Sequence, residues 1–212
     1  MRSAFIISII FAALVLAAGS GVCEDIYFEG WEGGTLAGWE AANASSDVTV
    51  GDAGGNPGGC LVIRGSSDGD GEIGAITMNP GATGDYWAAG VGLITFDMSF
   101  DEGWYSRVWL RIRSSDDVSS AWTYNVRMPN EPGGRWRTVA VEIDETWSDY
   151  DAQLVGWGKR SDALSFEETM ANVYAVEIVI MASNDVDVIV DNFRLGPPVE
   201  CVAELPVPVL VF

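Results

Sequence analysis

Short runs of alternating apolar and polar residues, separated by glycine- and aspartate-rich turns, dominate the chain from Asp25 to Leu195. A period of two residues is that of a β-strand with one buried face. Turn sequences such as GDAGGNPGG, NPGATGD and PNEPGG lie between the runs, as is typical of successive short strands. The predicted strands are Asp47–Val50, Cys60–Arg64, Ile73–Met78, Leu93–Phe100, Arg107–Arg113, Trp122–Met128, Arg137–Ile143, Val176–Met181 and Val186–Phe193.

One short helix is predicted among these strands. Ser165 is followed three residues later by Glu168, the spacing of a capping box, so we expect a helix over Phe166–Asn172. Many short strands with one helix favour an all-β fold over alternating strand–helix units. The sequence therefore predicts a single two-sheet jelly-roll β-sandwich with one short helix over residues 25–196.

The N-terminus has the features of a secretory signal peptide. Arg2 precedes the apolar run Ala4–Ala18, and small residues follow, so cleavage is expected between Gly19 and Val22. The run is short for a membrane span, although an uncleaved anchor or a lipid-modified Cys23 are alternatives. We expect residues 1–22 to be removed, leaving a secreted, extracellular or periplasmic protein with no membrane span.

The C-terminal residues and the cysteines define the ends of the domain. Residues 197–212 are rich in proline and valine without strand alternation, and they predict a tail outside the sandwich. Cys60 lies in an apolar strand and is expected to be a buried thiol. Cys23 and Cys201 flank the domain, and they would be able to pair if both survive processing.

The charge and the absent histidine exclude several classes of function. The chain has 31 acidic residues against 11 basic ones, a net charge of -20, which argues against binding to nucleic acid. It has no histidine, so the usual Ser-His-Asp and Cys-His nucleophiles and the common zinc sites are absent.

Four segments, in this order, resemble the galactose-binding-like jelly rolls, a group that includes many carbohydrate-binding modules and the laminin domain IV type. They are YFEGWEGGTLAGWE at 27–40, GGCLVIRG at 58–65, GRWRTVAVEIDETW at 134–147 and VDVIVDNFRLG at 186–196. The resemblance covers residues 25–196. It implies the jelly-roll fold more firmly than any one function, because this scaffold carries many functions.

The resemblance also implies a structural calcium ion. In related modules a calcium ion ties the first strand to the last, and the matching acidic residues here are Glu29 and Asp191. Calcium needs six to eight oxygen ligands, to which the Gly51–Asp52 loop or Asn56 would contribute. Alternatively, Glu29 and Asp191 are only solvated acids in a very acidic protein.

An arginine–tryptophan stripe is the main candidate for ligand binding. Alternation in the 107–113 strand places Val108, Leu110 and Ile112 toward the core. More than half of the basic residues lie between positions 107 and 137. The opposite face carries Arg107, Trp109, Arg111 and Arg113. This outer face suits an anionic polysaccharide, with arginines pairing to uronate or sulfate and a sugar ring stacking on tryptophan. Alternatively, the arginines only balance neighbouring acidic strands.

Loop aromatics provide further candidates, because loops carry binding more often than core strands do. Trp104 and Tyr105 follow an acidic turn at an expected hairpin tip, and we assign them to the ligand site with the stripe. The full set of loop aromatics is Tyr86, Trp87, Trp104, Tyr105, Trp147, Tyr150 and Trp157. Apart from Trp104 and Tyr105, most of them are expected to plug the ends of the sandwich.

One acidic segment resembles the active-site strand of laminarinase-type jelly-roll hydrolases. Glu142 and Asp144 would share one strand face there, but Thr146 stands where that pattern has its third acid. We therefore predict no catalytic residues from it.

Three functions follow from these observations. The leading interpretation is a secreted, non-catalytic, carbohydrate-binding-like module for a polysaccharide or cell-surface glycan, in particular an anionic one. The first alternative is a structural or adhesive extracellular protein with no glycan ligand. The second is a polysaccharide lyase or hydrolase on the same fold, which without histidine would depend on tyrosine, arginine or carboxylates.

Overall fold

The structure, a computed structural model, describes residues 24–65, 71–102, 105–127, 134–182 and 185–198. The predicted signal peptide, Cys23 and residues 199–212 of the predicted tail, with Cys201, lie outside the described residues.

Two antiparallel sheets pack face to face, which confirms the predicted jelly-roll sandwich. The first sheet has the order β3-β4-β12-β6-β9, with β1 paired to β12, and the second has the order β10-β8-β7-β11-β5-β2. The first sheet contains β1 (Tyr27–Glu29), β3 (Ser46–Gly55), β4 (Gly58–Gly65), β6 (Leu93–Glu102), β9 (Arg137–Glu142) and β12 (Val186–Gly196). The second contains β2 (Trp39–Ala41), β5 (Gly71–Thr77), β7 (Tyr105–Arg113), β8 (Ala121–Val126), β10 (Trp157–Lys159) and β11 (Ala175–Ala182).

The core lies between the sheets and follows the predicted alternation. Leu61 and Ile63 of β4 point inward from the first sheet, and Val108, Leu110 and Ile112 of β7 point inward from the second; all five are fully buried. Large aromatic side chains close the ends of this layer, with Trp31, Trp39, Trp122, Phe166 and Phe193 each at most 1% exposed. Burial of this much apolar surface is the main force that holds the two sheets together.

In the part of the chain that the structure describes, three short helices cap the sandwich: α1 (Tyr86–Ala89), α2 (Asp149–Leu154) and α3 (Phe166–Met170). The predicted helix is α3, and its Ser165–Glu168 capping box is formed as expected. The expectation of a single helix missed the other two. α2 has a capping box built from Ser148 and Asp151, in which aspartate replaces the more familiar glutamate.

Strands β1, β2 and β10 were not predicted, because each has three residues and is too short to show alternation. Cys60 is buried and free, as expected. Within the described ranges, no helix combines the length and the apolar character needed to cross a membrane.

Candidate functional site

The predicted arginine–tryptophan stripe lies on the outer face of the second sheet. On β7, Trp109 is half-buried and Arg107 is exposed, whereas Arg111 and Arg113 are only 2% and 8% exposed. Arg111 has Thr123 of β8 on one side and Glu177 of β11 on the other. The alternation therefore placed these side chains on the correct face but did not predict their burial.

Two of these arginines form an ion-pair network with Glu177. Arg111 Nη1 donates to Glu177 Oε2 at 2.8 Å, and Arg113 Nη1 donates to Glu177 Oε1 at 2.6 Å. Arg111 Nη2 reaches Glu72 Oε2 of β5 at 2.8 Å. Arg111 and Arg113 are thus balanced by two carboxylates, which is the role that the alternative interpretation gave to the arginines. Their contact with a ligand stays a prediction.

The network lines a pocket of about 210 Å³ on the outer face. The loop residues Asn43 and Val118 and the outward-facing Val179 also line it. Arg111 Nε is buried and has no hydrogen-bond partner within the described part of the chain. A buried N–H without an acceptor costs about 1–3 kcal/mol. Because this atom has almost no accessible surface, a ligand oxygen would reach it only after the side chains that cover it have moved.

The predicted ligand site also includes Trp104 and Tyr105. Trp104 lies outside the described residues, and for Tyr105 the structure describes only the backbone, at the start of β7. Their place in a ligand site stays a prediction.

The sequence interpretation missed Glu177 and Glu72 as members of this face. One signal was present, because Glu177 is the single charged residue within the apolar run AVEIVIMA of β11. A lone carboxylate at an outward position of a buried strand needs a cation beside it. The arginines of β7 were candidates for this cation, but the sequence does not show the register in which β7 and β11 pair.

A polar network surrounds Asp191, the residue predicted to bind calcium with Glu29. Asp191 is 1% exposed on the outer face of the first sheet, directly opposite Asp97 of β6. Its Oδ2 accepts a hydrogen bond from Asn56 N at 2.5 Å, and its Oδ1 accepts one from Asn192 N at 2.7 Å. Asn56 Nδ2 and Asn192 Nδ2 both donate to Asp97 Oδ2. The β3–β4 hairpin is therefore tied down onto β12 and β6.

Burial raises the pKa of Asp191, and the negative charges of Glu32 and Asp97 raise it further. The hydrogen bonds from Asn56 N and Asn192 N oppose this shift. Glu29 lies one strand away on β1, opposite Phe193, and its Oε1 accepts a hydrogen bond from Trp31 N at 2.8 Å. The acids that raise the pKa of Asp191 are therefore Glu32 and Asp97, neither of which the sequence interpretation named.

The donor chemistry here suits calcium, but the arrangement does not form a coordination shell. In the described ranges, no group of three or more acidic or cysteine side chains is placed to hold a metal ion. Carboxylates are the right ligands, yet those of Asp191 and Asp97 are already occupied by N–H and hydroxyl donors. Side chains would have to move for Glu29 and Asp191 to bind calcium, which stays a prediction.

The other candidate aromatics divide into core and surface residues. Tyr86 and Trp157 are 1% and 2% exposed and plug the core, whereas Tyr150 is 68% exposed on α2. Trp87 and Trp147 are half-buried and line a pocket at one end of the sandwich.

The acidic segment that resembles a hydrolase strand does not form one continuous strand. β9 ends at Glu142, and Asp144 lies beyond it in a turn, where its Oδ1 accepts hydrogen bonds from Thr146 N and Oγ1 at 2.8 and 2.7 Å. The paired-carboxylate geometry of a retaining glycosidase strand is therefore not formed by Glu142 and Asp144.

Two antiparallel sheets pack face to face, and the first and last strands pair within the first of them, so the chain has a jelly-roll β-sandwich fold. Comparison with solved structures confirms this fold. The family 11 carbohydrate-binding module from Clostridium thermocellum, solved with a β-1,3-1,4-mixed-linked tetrasaccharide, matches with a TM-score of 0.53 and 18% identity over 78% of this chain and 91% of its own. The CBM22-2 xylan-binding domain from Paenibacillus barcinonensis matches with a TM-score of 0.51 and 14% identity over 81% of this chain and 99% of its own.

An exo-beta-agarase is similar over part of its length. It matches with a TM-score of 0.59 and 14% identity over 82% of this chain, which spans 25% of the length of the agarase. No protein-family profile matches the sequence, and no curated protein matches it either. At these identities the likeness shows the fold alone.

Proposed function

We propose that this protein is a secreted, non-catalytic module that binds a polysaccharide on the outer face of its second sheet. The observation that carries the proposal is the half-buried indole of Trp109, two residues from Arg111 on the same outward face of β7, where the ion-pair network of Arg111 lines a pocket of about 210 Å³. A sugar combines apolar C–H faces with hydroxyl groups, and this face presents an aromatic ring beside charged groups that donate and accept hydrogen bonds.

The ion-pair network would hold these charged groups in place before a ligand arrives. Arg111 is fixed through both Nη atoms, to Glu177 and to Glu72. Fixing the side chain in advance lowers the entropy cost of binding. The carboxylates that fix it can accept hydrogen bonds from sugar hydroxyls, because each oxygen has more than one lone pair.

Similar structures support the ligand class. Two of them are a carbohydrate-binding module solved with a tetrasaccharide and a xylan-binding domain, both on the same fold. A fold alone does not fix function, so the proposal depends on the residues of the second sheet rather than on this likeness.

A preference for anionic polysaccharide is a narrower proposal, and it now depends on two other arginines. Arg107 is exposed on the outer face, and Arg160 approaches Glu72 only to 3.9 Å, with about a third of its side chain exposed. These guanidinium groups, rather than those of Arg111 and Arg113, would pair with a uronate or sulfate. Binding through them should weaken as salt rises.

Isothermal titration with neutral and uronic-acid oligosaccharides tests the proposed function. We expect Trp109→Ala to weaken binding by at least about tenfold, which is about 1.4 kcal/mol. Trp136→Ala is the matched control, because Trp136 is also half-buried but precedes β9 of the first sheet. Equal losses in the two variants would contradict the assignment of the site. Arg107→Ala should reduce the affinity for the uronic-acid ligands alone.

A further inference from the structure

A second concave site lies at the end of the sandwich, away from the outer face of the second sheet. It is a pocket of about 560 Å³ between the end of α1, the end of β9 and Pro198, which follows β12. A volume of this size is in the range of small-molecule sites, roughly 300–1,000 Å³. We propose that this pocket binds a short stretch of a neutral glycan, independently of the first site.

Two indole rings form walls of the pocket and are held rigidly. Trp87 and Trp147 are half-buried, and both pack on the buried ring of Phe166, with centroid distances of 6.4 and 6.1 Å. Trp87 Nε1 donates to Glu167 O at 3.1 Å, which fixes the orientation of its ring. Aromatic rings that are partly open to solvent and locked from behind are suited to stacking against the C–H face of a sugar.

The backbone around the pocket is fixed as well. Gly92 N donates to Gly196 O, and Gly92 O accepts from Ile143 N, so this segment joins the ends of β12 and β9. A Cβ atom at Gly92 would collide with the ring of Pro198, so only glycine allows Pro198 to close this side of the pocket. The shape is therefore present without a ligand, which favours binding.

Acidic side chains line the pocket together with the indoles. Glu142, Asp144 and Glu145 are all exposed there, and the described lining residues include no lysine or arginine. One oxygen of Asp144 is engaged by Thr146, while Glu142 and Glu145 extend from the same segment. Carboxylates accept hydrogen bonds from sugar hydroxyls, and their negative charge repels uronates and sulfates. The pocket therefore favours an uncharged sugar.

Only the ligand class of this second site rests on the proposed function. Its location, walls and charge are separate from Trp109 and Arg111. The two sites also differ in charge, because two guanidinium groups and two carboxylates line the first, whereas the described lining of the second has carboxylates and no lysine or arginine. The two proposals can therefore fail separately.

The test uses the whole chain with the first site disabled by Trp109→Ala. This protein is titrated, by calorimetry and by tryptophan fluorescence, with neutral oligosaccharides of agarose, xylan and mixed-linked β-glucan. Oligogalacturonate serves as the anionic probe and a glucosamine oligomer as the cationic one. We expect saturable binding of at least one neutral oligosaccharide. Adding Trp147→Ala should then weaken it by at least about tenfold, and adding Glu145→Gln by a few-fold.

Two controls keep the result interpretable. Glu145→Gln alters an exposed side chain and should leave folding intact, so it tests the pocket even if Trp147→Ala unfolds the protein. Tyr150→Ala removes an exposed aromatic residue of α2, outside the pocket, and should change nothing.

Three outcomes would overturn this inference. They are no binding of any neutral oligosaccharide to the Trp109→Ala protein, binding that neither Trp147→Ala nor Glu145→Gln affects, and a preference for the galacturonate or glucosamine probe. If Trp109→Ala binds like the wild type and Trp147→Ala alone abolishes binding, the end pocket stands and the assignment of the first site fails.

Discussion

Arg111 and Glu177 face each other on neighbouring strands β7 and β11, with Arg111 Nη1 and Glu177 Oε2 2.8 Å apart and both side chains at most 3% exposed. Arg113 shares the same carboxylate, and Glu72 holds the second Nη of Arg111. A charge network this deeply buried on the outer face of a sheet is costly to desolvate. It nevertheless fixes the one buried guanidinium N–H on this face that lacks a partner in the described structure.

Breaking this network should destabilise the fold. Replacing one partner leaves a buried charge without compensation, so we expect Arg111→Ala to lower the free energy of unfolding by about 3 kcal/mol or more. Arg64→Ala is the control, because Arg64 pairs with Asp187 on the surface, with the side chains 50% and 38% exposed. Exposed pairs contribute at most about 1 kcal/mol. If urea denaturation gives Arg111→Ala and Arg64→Ala equal losses in unfolding free energy, the predicted contribution of the buried network is wrong.

The raised pKa of Asp191 should make its contribution to the free energy of unfolding fall as the pH rises. Its folded-state pKa is raised above 3.8 by burial first, and then by neighbouring acids. A raised acid pKa means that the folded state binds the proton more tightly than the unfolded state does. The contribution of Asp191 is therefore fully present below the unfolded pKa and is lost as pH rises through the folded pKa.

Unfolding free energies of the wild type and Asp191→Asn, measured over a series of pH values, test this sign. We expect the advantage of the wild type to shrink as the pH rises above 3.8. The advantage of the wild type over Asp151→Asn should instead grow as the pH rises, because hydrogen bonds from Ser148 lower the pKa of Asp151. An advantage over Asp191→Asn that grows with pH would contradict the burial of Asp191.

Calcium, if Glu29 and Asp191 bind it, should raise the melting temperature. Binding to the folded state alone stabilises by about 2.7 kcal/mol at a hundredfold excess over Kd. Differential scanning fluorimetry in EDTA and in millimolar calcium measures this, and Asp191→Ala should abolish any shift. Identical melting temperatures in the two buffers would show that the polar network around Asp191 works without a metal ion.

The capping box of α2 should contribute measurably although α2 is only six residues long. Ser148 Oγ accepts from Asp151 N at 3.3 Å, and Asp151 Oδ2 accepts from Ser148 N at 3.0 Å. We expect Ser148→Ala to cost about 1 kcal/mol in thermal or chemical unfolding. Ser161→Ala, in an exposed loop, should stay within about 0.5 kcal/mol of the wild type. The capping assignment fails if the two variants are equally stable.

The sequence predicted what is local and missed what depends on register. Alternation in β7 identified Val108 as a core residue and Trp109 as an outward one, since a strand alone determines this. The pairing of Arg113 with Glu177 joins residues 64 positions apart, and no pattern in either strand specifies their alignment. β2 was missed because three residues are too few to show a period.

The candidate site was likewise only partly predictable. The composition of β7 indicated an arginine face, but the acidic residues that neutralise it belong to β5 and β11. Asp191 was identified through a resemblance, whereas Asp97 was not, because its role follows from lying opposite Asp191 in the sheet. These contacts are properties of the assembled sheets.

The resonance of the Arg111 Nε–H group during an oligosaccharide titration tests the central claim most directly. In ¹H–¹⁵N spectra, an N–H group close to a bound ligand changes its chemical shift saturably with ligand concentration. The account predicts that the Arg111 signal, assigned by its loss in Arg111→Lys, moves together with the Trp109 indole signal and with the calorimetric Kd. Saturable oligosaccharide binding that leaves the Arg111 and Trp109 signals unchanged would contradict the placement of the ligand on the second sheet.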